Sequence, residues 1–399
     1  MVIGGGTGGG GLKVAFVVGT TTGGTGPHVA MLADGCAARG VAVAVLGPAS
    51  TRPFFHDRGG LAAVCGPAVS GANLPRSWKF VPVEIAGRPR PARDAATLLR
   101  LRRRLAASAP DIVHAHGLRA GAITALALAG APTRRTALIV TVHNAPPAAG
   151  LAGAVYAVLE RIVARRAGAV ACVSGDLAAR MGRLGARDGG RALVPAPPAR
   201  AASAAEAATV RRELGGDERP VVLAAGRLAA QKGFGTLLAA AAGWQRRDPV
   251  PLLVIAGDGP LANVLHSQAR SAGLAVRFLG QRRDIAALLA IADVVVVASS
   301  WEGQPLIVQE VLRAGRPLVA TRVGGIPDLT GEDGALLVTP GDPDGLASAV
   351  LSVLDDPERG RKLSAAALAR AAMLPDEAAA IDAALALYQR IAAQHRPGP

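Results

Sequence analysis

The chain has 399 residues, half of them hydrophobic and 3% aromatic, with 50 Gly, 28 Pro and a formal charge of +15. Its length exceeds one ordinary core and suits two domains, and its Ala, Val and Leu content excludes a disordered or fibrous chain. Lys13, Lys79, Lys232 and Lys362 are the only lysines, so the excess charge is arginine; with no basic stripes interleaved with aromatics, it does not describe a nucleic-acid binder.

In chain order, "MVIGGGTGGGG" has no basic start and no sustained apolar run, so it is expected to be a tail and not a secretory signal. Gly4, Gly6 and Gly9 match GxGxxG but precede the first strand, whereas the dinucleotide fingerprint follows one. Buried-strand patterns then alternate with helical ones, the signature of βαβ units. In the first half strands are predicted at 13–19, 41–47, 111–117, 137–143, 169–174 and 192–195. After the first, Gly23, Gly24 and Gly26 form a turn that opens a helix with Pro27 near its start, where backbone amides suit an anion or a sugar. The stretch "LLRLRRRLAASAPD" (98–111) reads as a helix with a solvated arginine face, and is also compatible with peripheral contact to an anionic membrane.

A proline cluster in 195–220 separates the halves near residue 200, with a short helix after it. Strands follow at 220–226, 251–257, 276–280, 293–299, 317–322 and 334–339, and 376–394 has the spacing of a terminal helix. The chain is therefore read as α/β with two doubly wound halves. No apolar run approaches the roughly 20 residues of a membrane helix, so a soluble, cytoplasmic protein is expected. Cys36, Cys65 and Cys172 are odd in number, widely spaced and in apolar surroundings, which suits buried thiols in a reducing compartment; no zinc spacing occurs.

Two loops carry chemistry. In "GRLAAQKG" Arg227 and Lys232 follow a strand, a fork and a point charge suited to a diphosphate, and "IAGDGP" brings Gly257, Asp258 and Gly259 to an equivalent strand end. Both loops are expected at one crevice. In "WEGQPLIVQE" Glu302 and Glu310 are eight residues apart, about 80° around one helix, and Pro305 argues against a single helix. Glu302 is thus placed in a loop after a strand, and Glu310 about a turn and a half into a helix that begins near Pro305.

Together with "RVGGIPDL" (322–329), "DIVHAHG" and "TVHN", these segments resemble the retaining glycosyltransferases of family 4, over about residues 13 to 394. The resemblance implies the GT-B fold: an N-terminal acceptor-binding domain (12–198), a C-terminal nucleotide-sugar-binding domain (199–375), and a helix (376–394) crossing back to the first. It implies a metal-independent hexosyltransferase without a cofactor, using a UDP- or GDP-type sugar as donor. The acceptor would be a sugar, glycolipid or small metabolite in cell-envelope or glycoconjugate biosynthesis.

By the same resemblance, Arg227 and Lys232 would hold the donor's pyrophosphate, Glu310 the ribose hydroxyls, and Glu302 and His116 would lie beside the transferred sugar. Gly26, Gly257, Asp258, Gly259, Gly303, Gln304, Pro305 and Leu306 would complete the donor site, and His28, His143 and Asn144 the acceptor side. The sequence departs from the family in "PAPP" (195–198), with Ala196 and Pro197 in place of Asn and Gly, and at Gln304 and Pro305, which bears on sugar selectivity. Asp342 and Asp344 in "GDPDG" look like a metal-binding DxD but are read as a helix cap. A sugar-nucleotide epimerase or hydrolase, and a binding protein without catalysis, are the alternative readings; a nicotinamide dehydrogenase ranks last.

Overall fold

The computed structural model describes residues 11–21, 24–56, 78–87, 90–129, 136–146, 150–198, 200–215 and 219–395. Gly4, Gly6, Gly9, Gly23 and Cys65 lie outside them; Cys36 and Cys172 are buried free thiols. Two all-parallel sheets organise the chain. The first contains β1 (Lys13–Val18), β2 (Ala42–Gly47), β3 (Lys79–Pro82), β4 (Ile112–His116), β5 (Ala137–Val142), β6 (Ala169–Cys172) and β7 (Asp188–Arg191), in the order β3-β2-β1-β4-β5-β6-β7. The second contains β8 (Val221–Ala225), β9 (Leu252–Ala256), β10 (Val276–Phe278), β11 (Val294–Val297), β12 (Leu318–Thr321) and β13 (Leu336–Val338), in the order β10-β9-β8-β11-β12-β13. Both are doubly wound, with the order reversing between β1 and β4 and between β8 and β11. Ligands bind outside the strand C-termini at such points.

The continuous apolar runs are strands because each sheet is covered on both faces. Val17, Val113, Val140 and Leu138 face one N-terminal cluster, and Phe16, Val45, Ile112 and Ile139 face the other. Two further clusters enclose the second sheet, around Leu223, Val254 and Val295, and around Val222, Leu253 and Val296.

Ten of the strands with apolar runs outside 192–195 fall where the sequence places them, and so does the strand at 276–278; the segment 192–195 does not. The edge strand is the preceding Asp188–Arg191, whose "DGGR" resembles a turn. A side chain at Gly189 would collide with the main chain of Val170 and Ala171, so the strand can pair only as glycine. Val194 and Ala196 are buried, but their N–H groups go to glutamine side chains of the second domain. The short edge strand β3 is an addition to the sequence reading.

Helix Glu377–His395 packs on the first domain, with Ile381, Leu387, Tyr388 and Ile391 among Phe16, Val29, Ala33 and Cys36. Ile381 occupies the space that a side chain at Gly35 would need. On helix Pro91–Ser108, Leu101 and Leu105 enter the core while Arg100, Arg103 and Arg104 face outward; Leu99 is its exposed large apolar residue among the described side chains. No helix among the described residues is long and apolar enough to cross a membrane.

Tyr388 is fully buried and its hydroxyl lies 2.6 Å from His114 Nδ1. Tyr388→Phe should leave that nitrogen unpaired and lower stability by about 1–3 kcal/mol. Urea unfolding checks this; an unchanged midpoint would show that the bond contributes nothing.

Candidate active site

Every candidate loop leaves the C-terminal edge of a strand. After β8 the chain turns through 226–233, and Gly233 (φ 65°) has the Ala298 carbonyl where a Cβ would stand. After β9, Gly257 and Gly259 pack on the main chain of Gly226 and Leu228, and Leu228 N–H donates to the Asp258 carbonyl at 3.0 Å. The glycines therefore let the two loops lie against each other, as the shared-crevice expectation requires. Arg227 and Asp258 are exposed beside them, and Lys232 is half-buried.

After β11 the chain passes through Ser299 and Glu302 before helix Leu306–Arg313, which Pro305 caps. Glu302 is 5% exposed. Its Oε1 accepts from Lys232 Nζ at 2.6 Å and from the Ser299 hydroxyl at 2.6 Å. The Ser299 carbonyl accepts in turn from Thr321 Oγ1 at 2.6 Å. Gly324 and Gly325 lie directly over the carbonyls of Glu302 and Gly303, and Gly325 N–H donates to Glu302 O at 3.0 Å. "RVGGIPDL" is thus the clamp on the glutamate loop. Glu310 stands on the next helix, half-buried, with no hydrogen bond to its carboxyl among the described residues; burial pushes its pKa up, against the pull of Arg313.

Across the crevice His114 and His116 point from one face of β4, and His143 follows β5. His116 Nδ1 and His143 Nε2 are 2.9 Å apart with stacked rings, and His28 meets both edge-on. Among the described residues, His116 Nε2 and His28 Nδ1 are buried without a hydrogen-bond partner. His114 is tied to Tyr388 and, at 2.7 Å, to Thr141. The sequence reading brings His28, His116 and His143 to the N-terminal wall, and they form one cluster there; Asn144 is exposed next to it.

Several donor-side candidates have structural partners of their own. Gln304 does not present its amide to the crevice: it accepts from Val194 N–H at 2.8 Å and donates to Val173 O at 3.0 Å and Ala192 O at 2.5 Å. Leu306 packs toward the first domain, near Gly24, and Gly303 lies against Val173 and the His143 carbonyl. At Gly26 the space a Cβ would need holds the Phe54 ring, so that glycine has a packing requirement of its own. Residues missed by the sequence reading complete the joint. Gln309 pairs with Ala196 N–H (2.7 Å) and Val194 O (2.8 Å), and Arg313 donates to Ala196 O (2.6 Å). Because these contacts use main-chain groups, the "PAPP" departure keeps them. Arg191 pairs with Asp328 and Trp301 Nε1 with Asp176 (2.8 Å), also between domains. Asp342 caps helix Pro343–Leu354 through Gly345 N–H at 2.9 Å, in agreement with the cap reading.

Removing the cation from Glu302 leaves a buried charge unpaired. Lys232→Met should destabilise by about 3 kcal/mol, and adding Glu302→Gln should restore much of it. Thermal unfolding of the double-mutant cycle measures this, and additive effects would contradict direct coupling.

Burial lowers the histidines' pKa values from 6.5, to about 4 for His143 and about 3 for His114, and well below the ordinary value for His28 and His116, with neighbouring histidines adding to the effect in His28, His114 and His116. As pH falls below about 6.5 the unfolded chain takes up protons before the folded one, so stability present above that pH is lost toward pH 4 and below. Melting temperatures between pH 7 and 5 should fall, and His143→Asn should flatten the decline. A flat wild-type profile would contradict burial of the cluster.

The sequence and the fold have relatives. Residues 22–195 match the family model "Glycosyltransferase Family 4" and residues 219–356 match "Glycosyl transferases group 1". The chain is 34% identical over 193 residues to alpha-D-kanosaminyltransferase of Streptomyces kanamyceticus, covering 47% of this chain and 50% of that one. It is 31% identical over 281 residues to 2-deoxystreptamine N-acetyl-D-glucosaminyltransferase of Streptomyces fradiae, covering 65% and 66%. These matches span about half of the first relative and about two thirds of the second. The crystal structure of Anabaena HepE in complex with UDP superposes with a TM-score of 0.72 at 20% identity, covering 96% of this chain and 99% of that one. One glycosyltransferase family model thus matches within each domain, and the two-domain GT-B fold is shared with HepE almost end to end.

Proposed function

We propose that the chain transfers a sugar from a nucleoside diphosphate sugar to an acceptor, with retention of anomeric configuration and with side-chain cations in the place of a metal. The observation that carries this reading is the Lys232–Glu302 pair at the switch point of the second sheet, followed on the next helix by Glu310, whose carboxyl has no hydrogen bond among the described residues. A diphosphate would compete with Glu302 for Lys232 and draw Arg227 from the adjoining loop. Ribose hydroxyls donating to Glu310 would hold its carboxylate in the charged form against burial.

The bond from the anomeric carbon to the diphosphate oxygen breaks, and the acceptor oxygen bonds to the same face of that carbon. The acceptor proton passes to the departing phosphate oxygen. Arg227 and Lys232 neutralise the charge that develops on the leaving group, an electrostatic contribution of the kind that dominates many enzyme rates. Glu302 stands beside the transferred sugar, and His116 approaches it from the other domain. With Glu310 occupied by the ribose, a double displacement through two carboxylates is disfavoured. HepE, solved with UDP, supports a uridine donor, and the two Streptomyces relatives, named as aminosugar transferases, support a sugar as the transferred group.

Calorimetry with UDP, GDP and ADP tests the reading. One of the three should bind, and Glu310→Gln should weaken it about tenfold, or ~1.4 kcal/mol. Binding of none would end the proposal; binding indifferent to Glu310 would remove the ribose assignment.

A further inference from the structure

A cavity of about 550 Å³ opens next to the glutamate loop, within the range of small-molecule sites. One wall is helix Gly150–Arg166, where Gly153, Ala154 and Ala157 present nothing larger than a methyl group. The facing wall is the half-buried indole of Trp301, the residue immediately before Glu302. Helix Gly175–Arg183 supplies Asp176 and Arg180. The cavity is therefore built from both domains, at the junction that holds the reacting loop.

Its charges are distributed unlike those of the rest of the chain, which carries +15 overall. Arg180 is forked onto buried Glu160, Nε to Oε1 at 2.5 Å and Nη2 to Oε2 at 2.7 Å. That pair is neutral and leaves Asp176 as the unbalanced charge of the lining. Asp176 fixes the indole by accepting from Trp301 Nε1, and also accepts from the Ser174 hydroxyl; each oxygen keeps a further lone pair. A flat wall of small residues opposite an indole admits a ring, and a cation over an indole face gains from the ring quadrupole.

We propose that this cavity is the acceptor subsite, and that it takes a one- or two-ring acceptor bearing a protonated amine, with its ring on Trp301 and its ammonium beside Asp176. The assignment rests on the transferase reading above. Anionic acceptors are disfavoured because Asp176 faces them and the cation of Arg180 is already paired.

Trp78 and Trp244 are buried, so ligand quenching of intrinsic fluorescence reports mainly on Trp301. The probes are glucosamine, glucose and glucose 6-phosphate, titrated at pH 7 with and without UDP. Glucosamine should quench saturably with a Kd at least about fivefold below that of glucose, and glucose 6-phosphate should be weakest. Asp176→Asn should erase the preference for the amine, and Ala154→Leu should weaken binding of all three while the calorimetric affinity for UDP stays unchanged. Equal binding of glucosamine and glucose, or tightest binding of glucose 6-phosphate, would overturn the acceptor class. No quenching by any probe while UDP binds would overturn the subsite and leave the transferase reading standing; failure of UDP itself to bind would remove that reading and this one with it.

Discussion

A carboxylate as deeply buried as Glu302 is tenable only with a cation and hydrogen-bond donors beside it. Lys232 and Ser299 meet that requirement on a single oxygen, and much of the surrounding backbone follows from it. Lys232 reaches inward because the chain reverses at Gly233, in a conformation and a space that admit only glycine. The glutamate loop is held from above by Gly324 and Gly325, and Ser299 is fixed by Thr321. The paired side chains therefore sit in a rigid frame of main chain contributed by β8, β11 and β12. Such a frame keeps a cation poised where a competing anion can capture it.

The same loop joins the domains. Within six residues it sends Trp301 to Asp176, Gln304 to the carbonyls of Val173 and Ala192, and Leu306 toward Gly24. The connection from 192 to 197 is bound to the second domain through Gln304, Gln309 and Arg313. The proposed chemistry and the joint thus share one segment, so a change in domain angle would be felt at Glu302. The C-terminal helix closes the arrangement from the far side, where Tyr388 supports His114 beneath the histidine cluster.

The fold was largely legible because strands buried on both faces announce themselves as apolar runs, and the glycine-rich loops punctuate them at their C-terminal ends. Asp188–Arg191 was not, because its pairing depends on the absence of side chains and leaves no hydrophobic pattern. The grouping of the candidate residues was legible where a residue's type and its place at a strand end coincide, as for Lys232, Glu302, His116 at the end of β4 and His143 after β5. Gln304 shows the limit: its spacing beside Glu302 says nothing about which way the amide turns, and the deciding partners are 112 and 131 residues away. The unpaired charge of the cavity is equally nonlocal, since only folding shows that Arg180 is neutralised by Glu160.

The measurement that bears most directly on the account is a crystal structure of the protein with UDP bound. Lys232 Nζ should have left Glu302 for a diphosphate oxygen, with the ribose hydroxyls on Glu310 and Glu302 still held by Ser299. UDP bound in the crevice while Lys232 keeps its 2.6 Å contact with Glu302 would contradict the central claim that this pair is the diphosphate's binding device.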